Sequence, residues 1–496
     1  MSEFGAIPDG PAVFGDDEES SGNRVILIAS VAAMGGLLFG YDSAVINGAV
    51  SSIQKDFDIA DSTLGFAVAS ALLGAAAGAL NAGRIADRIG RLKVMKIAAV
   101  LFFVSAVGSA FAPEIWSLVF FRIVGGVGVG VASVIAPAYI AETSPARIRG
   151  RLGSLQQLAI VLGIFLSLLV DYLLAEMAGG AGEDLALGLE AWRWMFLAMI
   201  VPAVVYGALA TTIPESPRYL VATQRLPEAR KVLTLLFGEK NLELTITRIQ
   251  DSLTGDKPSW KDLKRPIGGV YPIVWVGLIL SIFQQAVGIN VIFYYSNVLW
   301  EAVGFEESSA FQTSVFTSLV NIVATFVAIM LVDKVGRKPL LLVGSIGMTV
   351  TLAVMAVCFG TADQVMNSDG EMQPELSGAS GPIALVAANL FVVSFALSWG
   401  PVVWVLLGEM FPNRFRGAAL SLAAAGQWTA NWAITVSFPS LKSFSLGFSY
   451  GMYATFAFLS LLFVTKFVKE TKGLTLEDMD AQAGITHKPS GTGASA

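Results

Sequence analysis

The chain has 496 residues, 54% of them hydrophobic and only 14% charged, where a soluble chain carries about 25% charged residues. With a mean hydropathy of +0.67 it reads as an integral membrane protein, and its net charge of −6 and pI near 5.1 argue against a nucleic-acid partner. The lone Cys358 excludes an intramolecular disulfide, and the lone His487, in a polar tail, excludes His-based catalysis and His-rich metal sites. Proton chemistry near pH 7 must then use carboxylates.

Residues 1–23, acidic at Asp16, Asp17, Glu18 and Glu19, lack the basic n-region and cleavage site of a signal peptide and read as a disordered cytoplasmic tail. Apolar runs long enough to cross a bilayer, about 20 residues each, then follow at 25–50, 64–83, 94–112, 115–140, 152–174 and 193–213. Six more follow at 270–298, 310–332, 339–360, 380–408, 415–438 and 446–468, with 415–438 the least hydrophobic. The expectation is an all-α membrane protein of twelve helices in two six-helix bundles, 24–213 and 270–468. A polar linker, 214–269, joins them, and 469–496 forms a second tail. Helical periodicity in "PEARKVLTLLF" and "LELTITRIQDSL" predicts short cytoplasmic helices in the linker.

Alternate loops are basic: Arg84, Arg88, Arg91, Lys93 and Lys96, then Arg147, Arg149 and Arg151, then Lys334, Arg337 and Lys338, then Arg414 and Arg416. The intervening loops are acidic or neutral, with Asp56, Asp58 and Asp61, Glu183 and Asp184, Glu306 and Glu307, and Asp369 and Glu371. The positive-inside rule places the basic loops and both termini in the cytoplasm, in a multi-pass protein of the plasma (cell inner) membrane. The halves also repeat each other. "GRIADRIGRLK" matches "LVDKVGRKP", "AETSPARIRG" matches "GEMFPNRFRG", and "PESPRYL" matches "KETKGLTLED" more loosely, all in the same order. Duplicated bundles with a midplane site describe secondary transporters.

Within the spans, Asp42 in "GYDSAVINGA" is the only ionisable side chain between Arg24 and Lys55. It lies about 27 Å along a helix from Arg24 at 1.5 Å per residue. Arg122, the one charge inside the fourth span, falls at comparable depth. Such groups face the bundle interior and pair. A cycle that makes and breaks Asp42–Arg122 would load and release a proton, because an arginine lowers a carboxylate's pKa and its loss in an apolar site raises it. A permanent structural pair is the alternative. "GGVGVGVAS" has GxGxG spacing inside a predicted span, so Gly126 and Gly130, like Gly74 and Gly78, read as small faces for close helix packing rather than a nucleotide loop.

"SIFQQAVGIN" carries Gln284, Gln285 and Asn290 in an apolar span whose glycine predicts a bend or break. Uncharged amides match the hydroxyls of a neutral polyol. Pro382, Gly400 and Pro401 predict a kinkable tenth span. At the basic loops an Asp or Glu at a helix end faces arginine. Asp87, Arg88, Arg91, Glu142 and Arg149 do so in the first half, and Asp333, Arg337, Glu409 and Arg416 in the second. Pairs of this kind can bias a two-state equilibrium. Lys93 and Lys96 read as topology determinants.

The stretches "GYDSAVING", "GRIADRIGR", "RIVGGVGVGVASVIAPAYIAETSPARIRG", "PESPRYL", "QQAVGIN", "DKVGRKP", "GPVVWVLLGEMFPNRFRG" and "KETKGLTLED" run from about Phe39 to Asp478. Together they make the chain resemble the sugar porters of the major facilitator superfamily, which include bacterial proton–sugar symporters and animal glucose facilitators. The resemblance implies the major facilitator fold and a monosaccharide substrate, hexose or pentose. It implies no cofactor, and the protein is expected to act as a monomer in the lipid bilayer. It implies that Gln157, Gln284, Gln285, Asn290 and Gln427 hydrogen-bond sugar hydroxyls, with Asn321 a further candidate, and that Trp404 and Trp428 pack against the ring. Phe39 would form a pocket wall, and Gln156 reads as structural. Tyr294 and Tyr295 look like an outer gate, with an interfacial aromatic belt as the alternative. Asp87, Arg91, Glu142 and Arg149 would form an inward-gate charge network. Proton-coupled members resemble this chain in carrying an aspartate at Asp42, where uniporters carry asparagine. Symport is therefore expected over uniport. A sugar sensor is disfavoured by the short tail after Asp480, and an enzyme by the lack of any nucleophile–base pair in a span.

Overall fold

The computed structural model describes residues 19–144, 149–238, 242–254, 263–264, 269–366, 372–411 and 415–472. Within helices some side chains, including those of Arg149, Arg151, Asp333 and Arg416, lie outside the description, as do Arg147, Asp369, Glu371, Arg414 and His487. The first span is built from α1 (Glu19–Ala44) and α2 (Ile46–Asp56). Helix α1 begins at Glu19, so residues 19–23, expected in the disordered tail, extend the first span instead. There follow α3 (Asp61–Ile89), α4 (Arg91–Ala110), α5 (Ile115–Thr143) and α6 (Arg149–Ala178). The sixth span is α7 (Ala191–Ala198) with α8 (Ile200–Leu209). The linker holds α9 (Pro217–Ala222), α10 (Leu226–Phe237) and α11 (Leu242–Thr254), packed on a small core of their own with Leu220, Val221, Ala229, Leu233 and Ile246 buried.

The second half opens with α12 (Pro272–Ala286), α13 (Ile289–Tyr294) and α14 (Ser296–Glu301), followed by α15 (Glu307–Val335) and α16 (Arg337–Gly360). It closes with α17 (Ser380–Ala396), α18 (Trp399–Met410), α19 (Arg416–Phe444) and α20 (Leu446–Phe467). Among the described residues, eleven helices are long and apolar enough to cross a membrane. The twelfth, α19, is 29 residues long and coincides with the stretch read as least hydrophobic. Its polar Asn431 and Thr435 are buried against protein, so it needs less hydrocarbon character. The architecture is the expected twelve-helix pair of bundles. Two antiparallel hairpins, Asp184–Ala186 with Leu189–Glu190 and Asp363–Met366 with Met372–Glu375, were not expected; they lie on the face opposite the linker. We call the two faces the linker face and the far face.

The helix breaks have local causes. Gly288, at φ +82°, separates α12 from α13, at the break expected in "QQAVGIN". Pro401 has no N–H to donate to the Leu397 carbonyl, and α17 gives way to α18 at Leu397–Ser398. Pro382, expected to contribute a kink, is the third residue of α17, where its missing N–H costs no helix bond. Helices α3 and α5 meet backbone to backbone. A Cβ added at Gly126 would lie 1.9 Å from the Ala71 carbonyl oxygen, and one at Gly74 2.1 Å from that of Ile123. The small faces are packing faces, as the sequence suggested.

The sequence repeat becomes a repeated clasp on the linker face. After α3 the chain turns at Gly90 (φ 97°, ψ 159°), and after α15 at Gly336 (φ 103°, ψ 167°). The next residue is an arginine that grips a glutamate with both nitrogens: Arg91 on Glu142 at 3.0 and 3.0 Å, Arg337 on Glu409 at 3.0 and 2.7 Å. A second glutamate accepts the first N–H groups of the following helix. Glu215 does this for Arg91 and Leu92, and Glu470 for Arg337 and Lys338. A hydroxyl from the residue after it, Ser216 or Thr471, donates to the gripped glutamate. Carboxylates suit these sites because helix N-termini favour negative charge.

Two outcomes follow. Gly126→Val should force the α3 and α5 backbones apart and cost about 3 kcal/mol, measured as a lower melting temperature of the purified protein. Burial works to raise the Glu470 pKa, but the N–H groups of Lys472, Arg337, Lys338 and Thr471 outweigh it and hold the carboxyl below the ordinary glutamate value. Its contribution is therefore present above that ordinary value and lost as pH falls through the lowered one. After solvent screening, Glu470→Gln should cost about 1 kcal/mol at neutral pH. The difference in melting temperature from the parent protein should shrink on acidification.

Candidate functional site

Asp42 and Arg122, brought together from α1 and α5, are 1% and 2% exposed. The guanidinium Nη1 donates to the Asp42 backbone carbonyl at 2.9 Å and stands 3.6 Å from carboxyl Oδ1. The second distance is beyond hydrogen-bond range, and both carboxyl oxygens lack a hydrogen-bond partner. Room for the carboxyl comes from Gly125, where a Cβ would lie 3.0 Å from Asp42 Oδ1 and 2.3 Å from Ser105 Oγ. From the other bundle, Tyr294 reaches the same place: its hydroxyl interacts with Ser43 and Asn431 and feels the charges of Arg122 and Asp42. The ionisable pair thus sits where the halves meet.

Below it lie the amides and aromatics. The Gln284 amide nitrogen donates to the carbonyls of Trp399 (2.8 Å) and Gly400 (3.2 Å), in the first turn of α18 just past its break from α17. Asn290 donates to the Gln285 side-chain oxygen at 2.5 Å across the Gly288 break, so the break brings together two residues that a straight helix would part. Phe39 and Trp428 face each other across the bundles, ring centroids 6.1 Å apart. Gln157 and Gln427 are half-buried and Asn321 is buried at 7% exposure. Trp404 is 42% exposed, on the face of α18 opposite its buried Val402, Val403, Leu406 and Leu407. Gln156 lies against Gly36, where a Cβ would come within 2.9 Å of its amide, as a packing role requires.

The far face is closed by bonds between the halves. Ser51 donates to Glu301 at 2.9 Å, the Asn297 N–H to the Asn47 side chain at 3.1 Å, and Ser443 to Asp61. Ala181 N–H donates to Glu307, Ser308 to Glu176, and Gln312 to Tyr172. Tyr295, 1% exposed, donates to the Thr435 carbonyl at 2.9 Å, and Tyr294 is 7% exposed. Both tyrosines are therefore buried, not spread in an interfacial belt. On the linker face Arg91 pairs with Glu142 and Asp87 at 3.0 Å each, and Arg337 with Glu409. These pairs lie within one half each. The side chains of Arg149, Asp333 and Arg416 lie outside the described residues.

Sequence reasoning missed several residues. Asn431 and Asn47, partners in the closure, could have been found as amides in apolar runs. Glu301 sits just past the expected end of its span. The main omission is Asp171 in "LSLLVDYLLAE", 0% exposed and without a hydrogen-bond partner on either oxygen.

A family model described as "Sugar (and other) transporter" matches residues 28–483. A "Glucose transport protein" of Synechocystis sp. is 56% identical over 92% of this chain and 97% of its own length. The "D-xylose-proton symporter" of Escherichia coli is 39% identical over 92% and 95%. Among solved structures, the inward-open conformation of the xylose transporter XylE from E. coli superposes with a TM-score of 0.77 at 38% identity, covering 92% of this chain and 99% of that one. The proton:xylose symporter XylE bound to 6-bromo-6-deoxy-D-glucose gives 0.75 at 38% identity, with 93% and 99% covered. With twelve helices in two bundles, eight ordered motifs and relatives matched along nearly their whole length, the chain belongs to the sugar porter family of the major facilitator superfamily.

Proposed function

We propose that the protein imports a monosaccharide, hexose or pentose, together with a proton, by alternating access between its two bundles. The linker face, with the basic loops, is the cytoplasmic one, both termini are cytoplasmic, and the protein works as a monomer in the cell membrane. The bundles 24–213 and 270–468 act as two bodies joined by the linker 214–269. The relatives' glucose and xylose substrates support the sugar class.

One observation carries the coupling role: Arg122 bonds the backbone carbonyl of Asp42 and stands off its carboxyl by 3.6 Å. That stand-off suits a guanidinium whose carboxyl partner has taken up a proton. With the far face open, water reaches Asp42 and delivers the proton. With that face closed, Tyr294, Asn431 and Ser43 cover the pair, and the proton leaves only towards the cytoplasm. Loss of the proton restores a carboxylate that draws Arg122 back, and the two states alternate with the two access conformations. Protein hydrogen bonds at the sugar come from amides, which exchange donors and acceptors with hydroxyls without charge. Gln157, Gln284, Gln285, Asn290, Asn321 and Gln427 supply them. Phe39, Trp404 and Trp428 offer apolar faces to the ring's C–H groups. Tyr294 and Tyr295 form the outer gate. Asp87, Arg91, Glu142 and Arg149, and Asp333, Arg337, Glu409 and Arg416, hold the cytoplasmic gate.

In proteoliposomes with an imposed pH gradient, Asp42→Asn should abolish uphill sugar accumulation while leaving counterflow of labelled sugar. Retained pH-driven accumulation would sink the coupling role. Gln427→Ala removes an amide free of any described structural bond, so sugar KM should rise about tenfold, equivalent to ~1.4 kcal/mol, with the melting temperature unchanged.

A further inference from the structure

Among the described residues two carboxyls are fully buried within the spans, Asp42 and Asp171. Asp42 has Arg122 beside it; Asp171, on α6, has no cation among the described residues. Its side chain is pressed against α2: a Cβ on Gly48 would come within 2.9 Å of Asp171 Cβ and Cγ and 2.8 Å of Met195 Sδ. The Gly48 backbone N–H is directed at it but makes no hydrogen bond of good geometry to either oxygen.

The charged and titratable groups on the surrounding elements are committed elsewhere or carry the same sign. From α1, Tyr41 senses Asp171 with a buried, unpartnered hydroxyl, and Asp42 belongs to Arg122 on α5. From α2, Lys55 faces Glu301, and Asp56 accepts from Trp192. From α7, Arg193 holds Glu190 and the carbonyls of Ala110 and Ala112. From α15, Glu307 accepts from Ala181; on α6 itself Glu176 accepts from Ser308, and Tyr172 from Gln312. Asp184 lies on the hairpin beyond the end of α6.

An ionised carboxylate left unpaired in such surroundings costs far more than a neutral acid. The helix covering it, α2, also carries the closure of the far face through Asn47, beside Gly48, and Ser51, one turn on. Asp171 therefore cannot meet water or a counter-ion without displacement of the segment that shuts the outer gate. We propose that Asp171 is a second proton-binding site, taking a proton from the far face as α2 closes over it and returning the proton to that face when α2 withdraws. Proton occupancy and closure then favour each other equally. The site makes outer-gate closure pH-dependent without carrying a proton across, and the idea rests on the alternating-access reading above.

The test uses the full-length protein in proteoliposomes. Infrared spectra of Asp42→Asn with saturating D-xylose or D-glucose should keep the carbonyl stretch of a buried carboxylic acid. That band should vanish in the Asp42→Asn/Asp171→Asn double variant and return, shifted, with Asp171→Glu. Sugar counterflow by Asp42→Asn should slow as far-side pH rises, by up to about tenfold per pH unit at the limit for one linked proton, and the double variant should be flat. Absence of the band in Asp42→Asn, its persistence in the double variant, or an unchanged pH profile would overturn the proposal. Should Asp171→Asn fail to purify, Asp171→Glu against Asp42→Asn still reports the band through its shift. If Asp42→Asn still accumulates sugar uphill while the band behaves as described, the coupling role of Asp42 falls and Asp171 stands.

Discussion

A charge inside a low-dielectric bundle is tolerated only where something answers it, and the rest of the structure is arranged around that constraint. Arg122 and Asp42 answer each other at the seam between the halves, so the pair cannot stay indifferent to how the halves sit. Tyr294 comes from the second bundle and Ser43 from the first, and both arrive at that seam. The Asp42–Arg122 pair is the deepest meeting of an acid and a base in the described spans, and it lies where the halves touch. What the pair faces is thus set by its location at the seam before it is set by any single residue.

The polar residues lower in the seam obey a gentler version of the same rule. Broken helices release carbonyls that need donors, and the amides beside them have donors to give. Gln284 meets carbonyls of the first turn of α18, just past the α17–α18 break, while Gln285 and Asn290 meet across the α12–α13 break. A helix break in a membrane is tolerated where the freed backbone finds protein partners or lines a cavity. The amides beside the breaks are therefore tied to the fold itself, through Gln284 to the start of α18 and through Gln285 and Asn290 to each other.

Much of this was legible in the sequence, for reasons that differ by element. Span count came from hydropathy alone, because a bilayer sets a minimum apolar length; even the marginal span, α19, was the one that hydropathy ranked last. The break at Gly288 was visible because the surrounding residues demanded it. The break near Pro401 was visible too, but Pro382 was wrongly grouped with it, since a proline's effect depends on its position in the helix and the start of α17 was not known. Pairings between distant helices, such as Gln284 with α18 or Asn47 with Asn297, leave no local trace. Asp171 went unnoticed although it lies within the expected span, 152–174, because nothing local marks a carboxyl that tertiary packing will bury. The helix runs on to Ala178 and buries it.

The repeated clasp has a consequence for where the protein ends. Glu470 and Thr471 lie beyond the last membrane helix and look like the start of a dispensable tail, yet they hold the turn at Gly336 and the Arg337–Glu409 pair, as Glu215 and Ser216 do in the first half. Each half is thus a strip of chain whose end is buttoned to its own middle. Shortening the protein after Phe467, or joining a reporter there, would unfasten the second half at the linker face, whereas a join beyond Lys472 leaves both buttons closed.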